Sequence, residues 1–307
     1  MDFDWLENLS TQPCQGDISM PARPFPFRSS LPLLFLLCCS LSSCAGLITS
    51  TVIKPAIGNL QQQTDIELVC EGAPAYLLML DSMLVSSPEN RDLLMTAAQS
   101  YTAYATALGE CGGSNARITA IAEKARSYGG KLLHPLLPLG SATDTETFEH
   151  QLAQLKKNDV PAVFWGASGW LTWVLQQKGS PAAIADTVFI EKIMARLLEL
   201  DPSYQGGSIH LFFGAYYAAK PEMFGGRTDL SAEHFDHALA ISGRKFLLTQ
   251  VTYAEKLARM TMNKELHDSL LAEVLAFPLE SAPQFGLSNR IAVNRAKKLL
   301  EENYFAE

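Results

Sequence analysis

Few side chains in this sequence are of a type and spacing that could do covalent or metal chemistry, and each is weighed against the pattern that chemistry needs. Gly166-Ala167-Ser168-Gly169 approaches a nucleophile elbow. The G-x-S-x-G turn needs glycine at position 170, where Trp170 stands, so nothing presents Ser168 as a nucleophile. His234 and His237 form an H-x-x-H beside Glu233, without the H-E-x-x-H pattern that places two imidazoles and a base around zinc. A solvated face on the first turn of a helix accounts for them, and no metal set is assigned. The glycine pairs beginning at 112, 129, 206 and 225 are separate, and none leads into G-x-x-x-x-G-K. They read as helix terminators, because glycine takes the left-handed conformation cheaply. No catalytic residue and no cofactor motif emerges, and a non-enzymatic protein is expected.

Binding chemistry is better represented. Trp165, Trp170 and Trp173 fall within nine residues. At about 100° per residue they sit near 0°, 140° and 80° and share one broad helix face. Phe164 and Val174 border that face, and Gly166 and Gly169 would let another surface approach closely. Two readings stand: an apolar ligand groove or partner contact, in which tryptophan is enriched, and packing between neighbouring helices. Leu211-Phe212-Phe213 with Tyr216 and Tyr217 forms a second apolar cluster with the same two readings. Arg244 and Lys245, at a turn between helices, are candidates to meet an acidic ligand or partner, or simply solvent.

Cysteine usage points to a compartment. Leu41-Ser42-Ser43-Cys44 follows an apolar run, Leu31 to Leu41, which in turn follows Arg23 and Arg28. Basic, apolar and small residues in that order make a secretory signal, and the final cysteine looks like the lipid attachment site of a bacterial lipobox. As a helix the 11-residue run rises about 16 Å, against a hydrocarbon core of about 30 Å. It is therefore read as a cleaved signal, residues 1–43, and not as an anchor. Residues 1–19 are acidic and hold no lysine or arginine, so Met20 is the expected true start. With Cys44 on lipid, Cys70 and Cys111 remain as a pair in an oxidising compartment. They flank the turn Ser87-Pro88-Glu89-Asn90 at similar separations, so antiparallel helices on either side would bring them together. A disulfide and two buried thiols are the alternatives. Ala45 after the lipidated cysteine is the pattern for the inner leaflet of the outer membrane.

Removing residues 1–43, with two basic and four acidic side chains, takes the net charge from −8 to −6. A mildly acidic chain has no electrostatic footprint for nucleic acid. No later stretch reads as 18 uninterrupted apolar residues, and the lipid is the expected membrane contact. Residues 44–62 lack a strong period and read as a tether, with a domain over 63–307.

Within that domain the apolar spacing is helical. Phe189, Ile193, Leu197 and Leu200 form one stripe behind the capping pair Ser180-Pro181. Val251, Ala254, Leu257 and Ala258 form another, and Ala292, Ala296 and Leu299 a third. No alternating β-branched run or Asn-Gly hairpin signal appears. The fold class is all-α. Breakers recur just past apolar contacts at Ser87-Pro88, Asp201-Pro202 and Ser242-Gly243. Gly214 and Tyr217, then Phe235 and Ala238, fit the helix pair of a degenerate tetratricopeptide-like repeat. Stacked antiparallel helix hairpins with a concave binding surface are the predicted architecture.

Several motifs in order then carry a resemblance. They are Asp159-Val160-Pro161-Ala162-Val163-Phe164-Trp165, Leu200-Asp201-Pro202 with Gly206-Gly207, Gly214-Ala215-Tyr216-Tyr217, and Leu287-Ser288-Asn289-Arg290. Over roughly residues 63–303 the chain resembles the TatT family, the T-components associated with TRAP (tripartite ATP-independent periplasmic) transporters. That resemblance implies a periplasmic lipoprotein of tetratricopeptide-like helices that partners the transporter's solute-binding protein. It also implies oligomers with a central passage, and it supplies no catalytic residue. Three functions are weighed: an adaptor for the solute-binding protein that handles a hydrophobic or organic-acid ligand, a stand-alone periplasmic carrier of a hydrophobic ligand, and an envelope assembly scaffold.

Overall fold

The computed structural model describes residues 54–137, 144–220, 223 and 225–306. The signal segment, Cys44 and residues 45–53 lie outside the described residues. Twelve α-helices and no strand occur among the described residues: α1 (Lys54–Gln62), α2 (Ile66–Ser86), α3 (Arg91–Leu108), α4 (Asn115–Leu133), α5 (Thr145–Gln154) and α6 (Val160–Gln176). They continue as α7 (Pro181–Leu200), α8 (Tyr204–Ala219), α9 (Thr228–Ser242), α10 (Leu248–Tyr253), α11 (Lys264–Ala276) and α12 (Gly286–Glu301). The protein is all-α.

Local sequence sets half of the helix N-termini. Asp65, Asn90, Ser114, Asp144, Ser180 and Asn263 each cap a helix by accepting the N–H three residues on, satisfying a donor that the helix itself leaves unpaired. At the other end of α9, Gly243 is left-handed (φ 57°) and Arg244 N–H reaches back to the Leu239 carbonyl. That is the Schellman closure glycine permits.

Three apolar cores follow one another along the chain. The first joins α2, α3 and α4, with Leu287 and Ile291 of α12 inserted into it. The second joins α5 to α8 around Phe148, Ile190, Ile193 and Leu197. The third joins α9 to α12 and the end of α8, where Phe235 stacks on Tyr253 at 4.5 Å.

The contact of α4 with α6 is made through backbone. A Cβ on Gly169 would lie 2.5 Å from the Ala125 carbonyl oxygen, and one on Gly129 would lie 2.7 Å from that of Gly166. Gly129 and Gly130 are therefore not helix terminators, as their pairing suggests; they lie inside α4, where the missing side chain lets another helix in. The pair Gly206-Gly207 also departs from that expectation, because it opens α8 with φ of 66° and 84°. Gly112 and Gly225, at φ 68° and 86°, do occupy left-handed turns.

Two further features lie beyond the periodicity. The last part of the expected tether, Lys54–Gln62, is helix α1, and its Gln62 carbonyl carbon would lie 2.8 Å from a Cβ at Gly286. Only a distant glycine creates that seat, so the weak local period gives no sign of it. Continuing α10, Ala254–Ala258 form a π-helical turn, the one-residue insertion that shifts which side chains face a neighbour. α2 is long and apolar enough, by length and composition, to cross a membrane. Its Ile66, Val69, Leu77, Leu80 and Leu84 are nevertheless buried in the first core.

Candidate functional site

The three tryptophans all lie on α6, half-buried, and meet different neighbours. Trp165 is edge-on to Phe164 at 5.2 Å, and Phe164 in turn meets Tyr204 at 5.1 Å. It faces the seam between the first and second cores. Trp170 donates its indole N–H to Asp186 Oδ2 on α7 at 2.7 Å and stacks on Phe189. Trp173 lies under the Arg126 guanidinium of α4, 3.7 Å from the ring centroid. Arg126 also reaches Asp186 at 3.6 Å. Asp186 thus joins Trp170 to Arg126, and the cation–π contact holds Trp173 in the same patch.

A second aromatic group stands on α8. Tyr216 stacks on Phe212 at 5.5 Å and donates its hydroxyl to Glu191 of α7. The Lys220 ammonium sits 3.7 Å from the Tyr216 ring centroid and donates to its hydroxyl oxygen. Burial, and then the neighbouring Glu191 carboxylate, push the Tyr216 hydroxyl above the ordinary tyrosine range. Ile184 and Val188 precede Glu191 by seven and three residues, on the same face of α7, and are 59% and 48% exposed. Leu175, at the end of α6, is 69% exposed. α6 and α8 thus each carry half-buried aromatic side chains with one cation beside them, Arg126 at Trp173 and Lys220 at Tyr216.

Tyr217 is edge-on to Tyr216 at 5.7 Å and extends the group towards α9. It stacks on Phe213 and on His234 of α9, at 5.9 and 5.8 Å. His234 Nδ1 lies 3.0 Å from Nδ1 of the buried His210, and the His237 ring is 5.0 Å from that of His210. Burial first, then the two neighbouring histidines, lower the His210 pKa to about 4. No group of three or more histidine, cysteine or acidic side chains among the described residues is arranged to hold a metal ion.

Arg244 stands apart from both aromatic groups. Its guanidinium takes both oxygens of Glu273, and its carbonyl accepts from Gln250 Nε2 at 2.8 Å. It pins the α9–α10 turn to α11. Cys70 and Cys111 are joined, with Cα atoms 5.7 Å apart, tying α2 to the turn after α3.

Arg126, Asp186 and Glu191 carry no local signal, since their partners lie on other helices. Lys220 was legible in principle as the i+4 neighbour of Tyr216 on one helix face.

The chain is 25% identical over 257 residues, covering 78% of this chain and 79% of the other, to an uncharacterized protein of Treponema pallidum (strain Nichols). Residues 62–305 match the TAtT family, whose description is TRAP transporter T-component, an accessory of transport and not an enzyme family. With most of its length matched, this chain belongs to the TAtT family of TRAP transporter T-components.

Proposed function

We propose that this protein is a lipid-anchored periplasmic adaptor, held at the inner leaflet of the outer membrane through Cys44. It docks the solute-binding protein of a TRAP system and offers its ligand a surface on α6, α7 and α8. The platform is a tetratricopeptide-like stack. The observation that carries this reading is the pair of aromatic groups on α6 and α8: Trp170, Trp173, Phe212 and Tyr216 are half-buried, and in each group a cation lies against an aromatic face. Apolar rings beside Arg126 and Lys220, whose pairs with Asp186 and Glu191 are long at 3.6 and 3.9 Å, suit a ligand with a hydrophobic body and a carboxylate, the organic-acid class. Arg244, saturated by Glu273, serves the fold in this reading.

The test is detergent extraction of the lipidated protein from its native envelope, followed by analysis of the captured proteins and small molecules. Co-recovery of a TRAP solute-binding protein supports the adaptor, and an organic acid or lipid alone moves the case to a carrier. Recovery of neither leaves an assembly scaffold. Trp170→Ala is expected to weaken ligand retention roughly tenfold with the helical circular dichroism unchanged. Loss of the helical signal would make Trp170 a packing residue.

A further inference from the structure

α2 is apolar on two sides. Ile66, Val69, Ala73, Leu77, Leu80 and Leu84 enter the first core. Leu68, Ala75, Leu78, Met79 and Val85 recur at the same three- and four-residue spacing on the opposite side. Leu68, Leu78 and Val85 are 52%, 66% and 84% exposed. A helix apolar on both faces has a second surface to cover it.

This outer face is also held rigid from beneath. The Cys70–Cys111 bond fixes the first half of α2. In the second half, Asp81 accepts hydroxyls from Tyr101 at 2.9 Å and Tyr128 at 2.5 Å, and pairs with Lys124 at 3.1 Å. A face whose backbone is pinned at both halves loses little freedom when covered.

Charge selects the occupant. α2 contains no lysine or arginine. Glu67 and Glu71 lie along the exposed side near its start, with no ion-pair partner among the described residues. An anionic bilayer would repel them, and two-fold pairing of α2 with its own copy would bring more acids and no cation. We infer that the outer face of α2 docks a protein surface with an apolar centre and lysine or arginine side chains opposite Glu67 and Glu71. This inference rests on the adaptor reading and assigns the solute-binding protein to α2, leaving the aromatic groups of α6 and α8 open to ligand.

The test uses the full-length lipidated protein in detergent and the solute-binding protein encoded with its transporter, with affinity measured at low and moderate salt. Wild type is expected to bind more weakly as salt rises. The double variant Glu67→Lys/Glu71→Lys should lose roughly tenfold in affinity and most of that salt dependence. Leu78→Ser, at an exposed position, should lose roughly tenfold while keeping the thermal midpoint. Wild type that fails to bind overturns the adaptor reading. Wild-type binding that both variants retain overturns the α2 surface alone. Two other outcomes also overturn it: self-association abolished by Leu78→Ser with partner binding intact, and variant-sensitive binding to phosphatidylglycerol vesicles.

Discussion

Asp81 is a single carboxylate that answers two tyrosine hydroxyls and an ammonium. Replacing it with alanine strands the hydroxyls of the buried Tyr101 and Tyr128, with an expected loss of about 2–3 kcal/mol in urea unfolding. His210 makes a prediction in pH. Its folded pKa of about 4 lies below the ordinary value of 6.5, because burial and His234 oppose its charge. The stabilisation it represents is present above about pH 6.5 and is lost as the pH falls towards 4. The expected loss at the acid end is on the order of 2 kcal/mol, and His210→Phe should flatten the thermal midpoint over that range. The sequence displayed His234 and His237 as an i, i+3 pair. It gave no sign that His210, on another helix, would complete the cluster. A residue's partner across a helix interface has no fixed sequence separation.

At the scale of elements, glycine sets how closely helices approach. A methyl group at Gly169 would lie 2.5 Å from the Ala125 oxygen, a backbone atom that cannot swing aside. Gly169→Ala should therefore separate α4 from α6 and cost about 3 kcal/mol, read as a fall in thermal midpoint. At Gly166 a methyl group would meet the buried Leu133 side chain at 2.5 Å and the Gly129 carbonyl oxygen at 3.1 Å, so Gly166→Ala should also destabilise the contact. The helices were legible because apolar spacing and caps such as Asn90 and Ser180 are local. The packing role of Gly129 was not, since a glycine in a helix looks alike whether it ends the helix or admits a neighbour. The Cys70–Cys111 bond closes a separation of 41 residues. Chain-entropy arithmetic puts its contribution at roughly 4 kcal/mol. Reductant should lower the midpoint accordingly, and free thiols should be counted only after reduction.

At the scale of the whole molecule, the last helix returns to the first described ones. Arg290 Nε donates to the Thr64 carbonyl at 3.1 Å, Lys298 reaches Glu110 at 2.9 Å, and Gly286 seats α1. A stack whose hairpins touch only their neighbours would fray from its ends. Here the first core includes residues of α12, so unfolding by urea should be a single transition, coincident by tryptophan fluorescence and circular dichroism. Arg259 helps to close the far end. Its guanidinium donates to the Leu299 carbonyl at 2.9 Å and to Glu302 at 2.5 Å. Arg259→Ala should expose the C-terminal segment to protease. By itself the sequence determined the all-α class, several helix ends and the motifs that mark a T-component, because periodicity, capping and motif order are written within a few tens of residues. Only the tertiary structure decided which cations meet the aromatic rings, which glycines admit a helix, and that α12 closes on α1 and α2. Those are contacts between residues up to 226 positions apart, set by the packing of whole helices and by no local pattern.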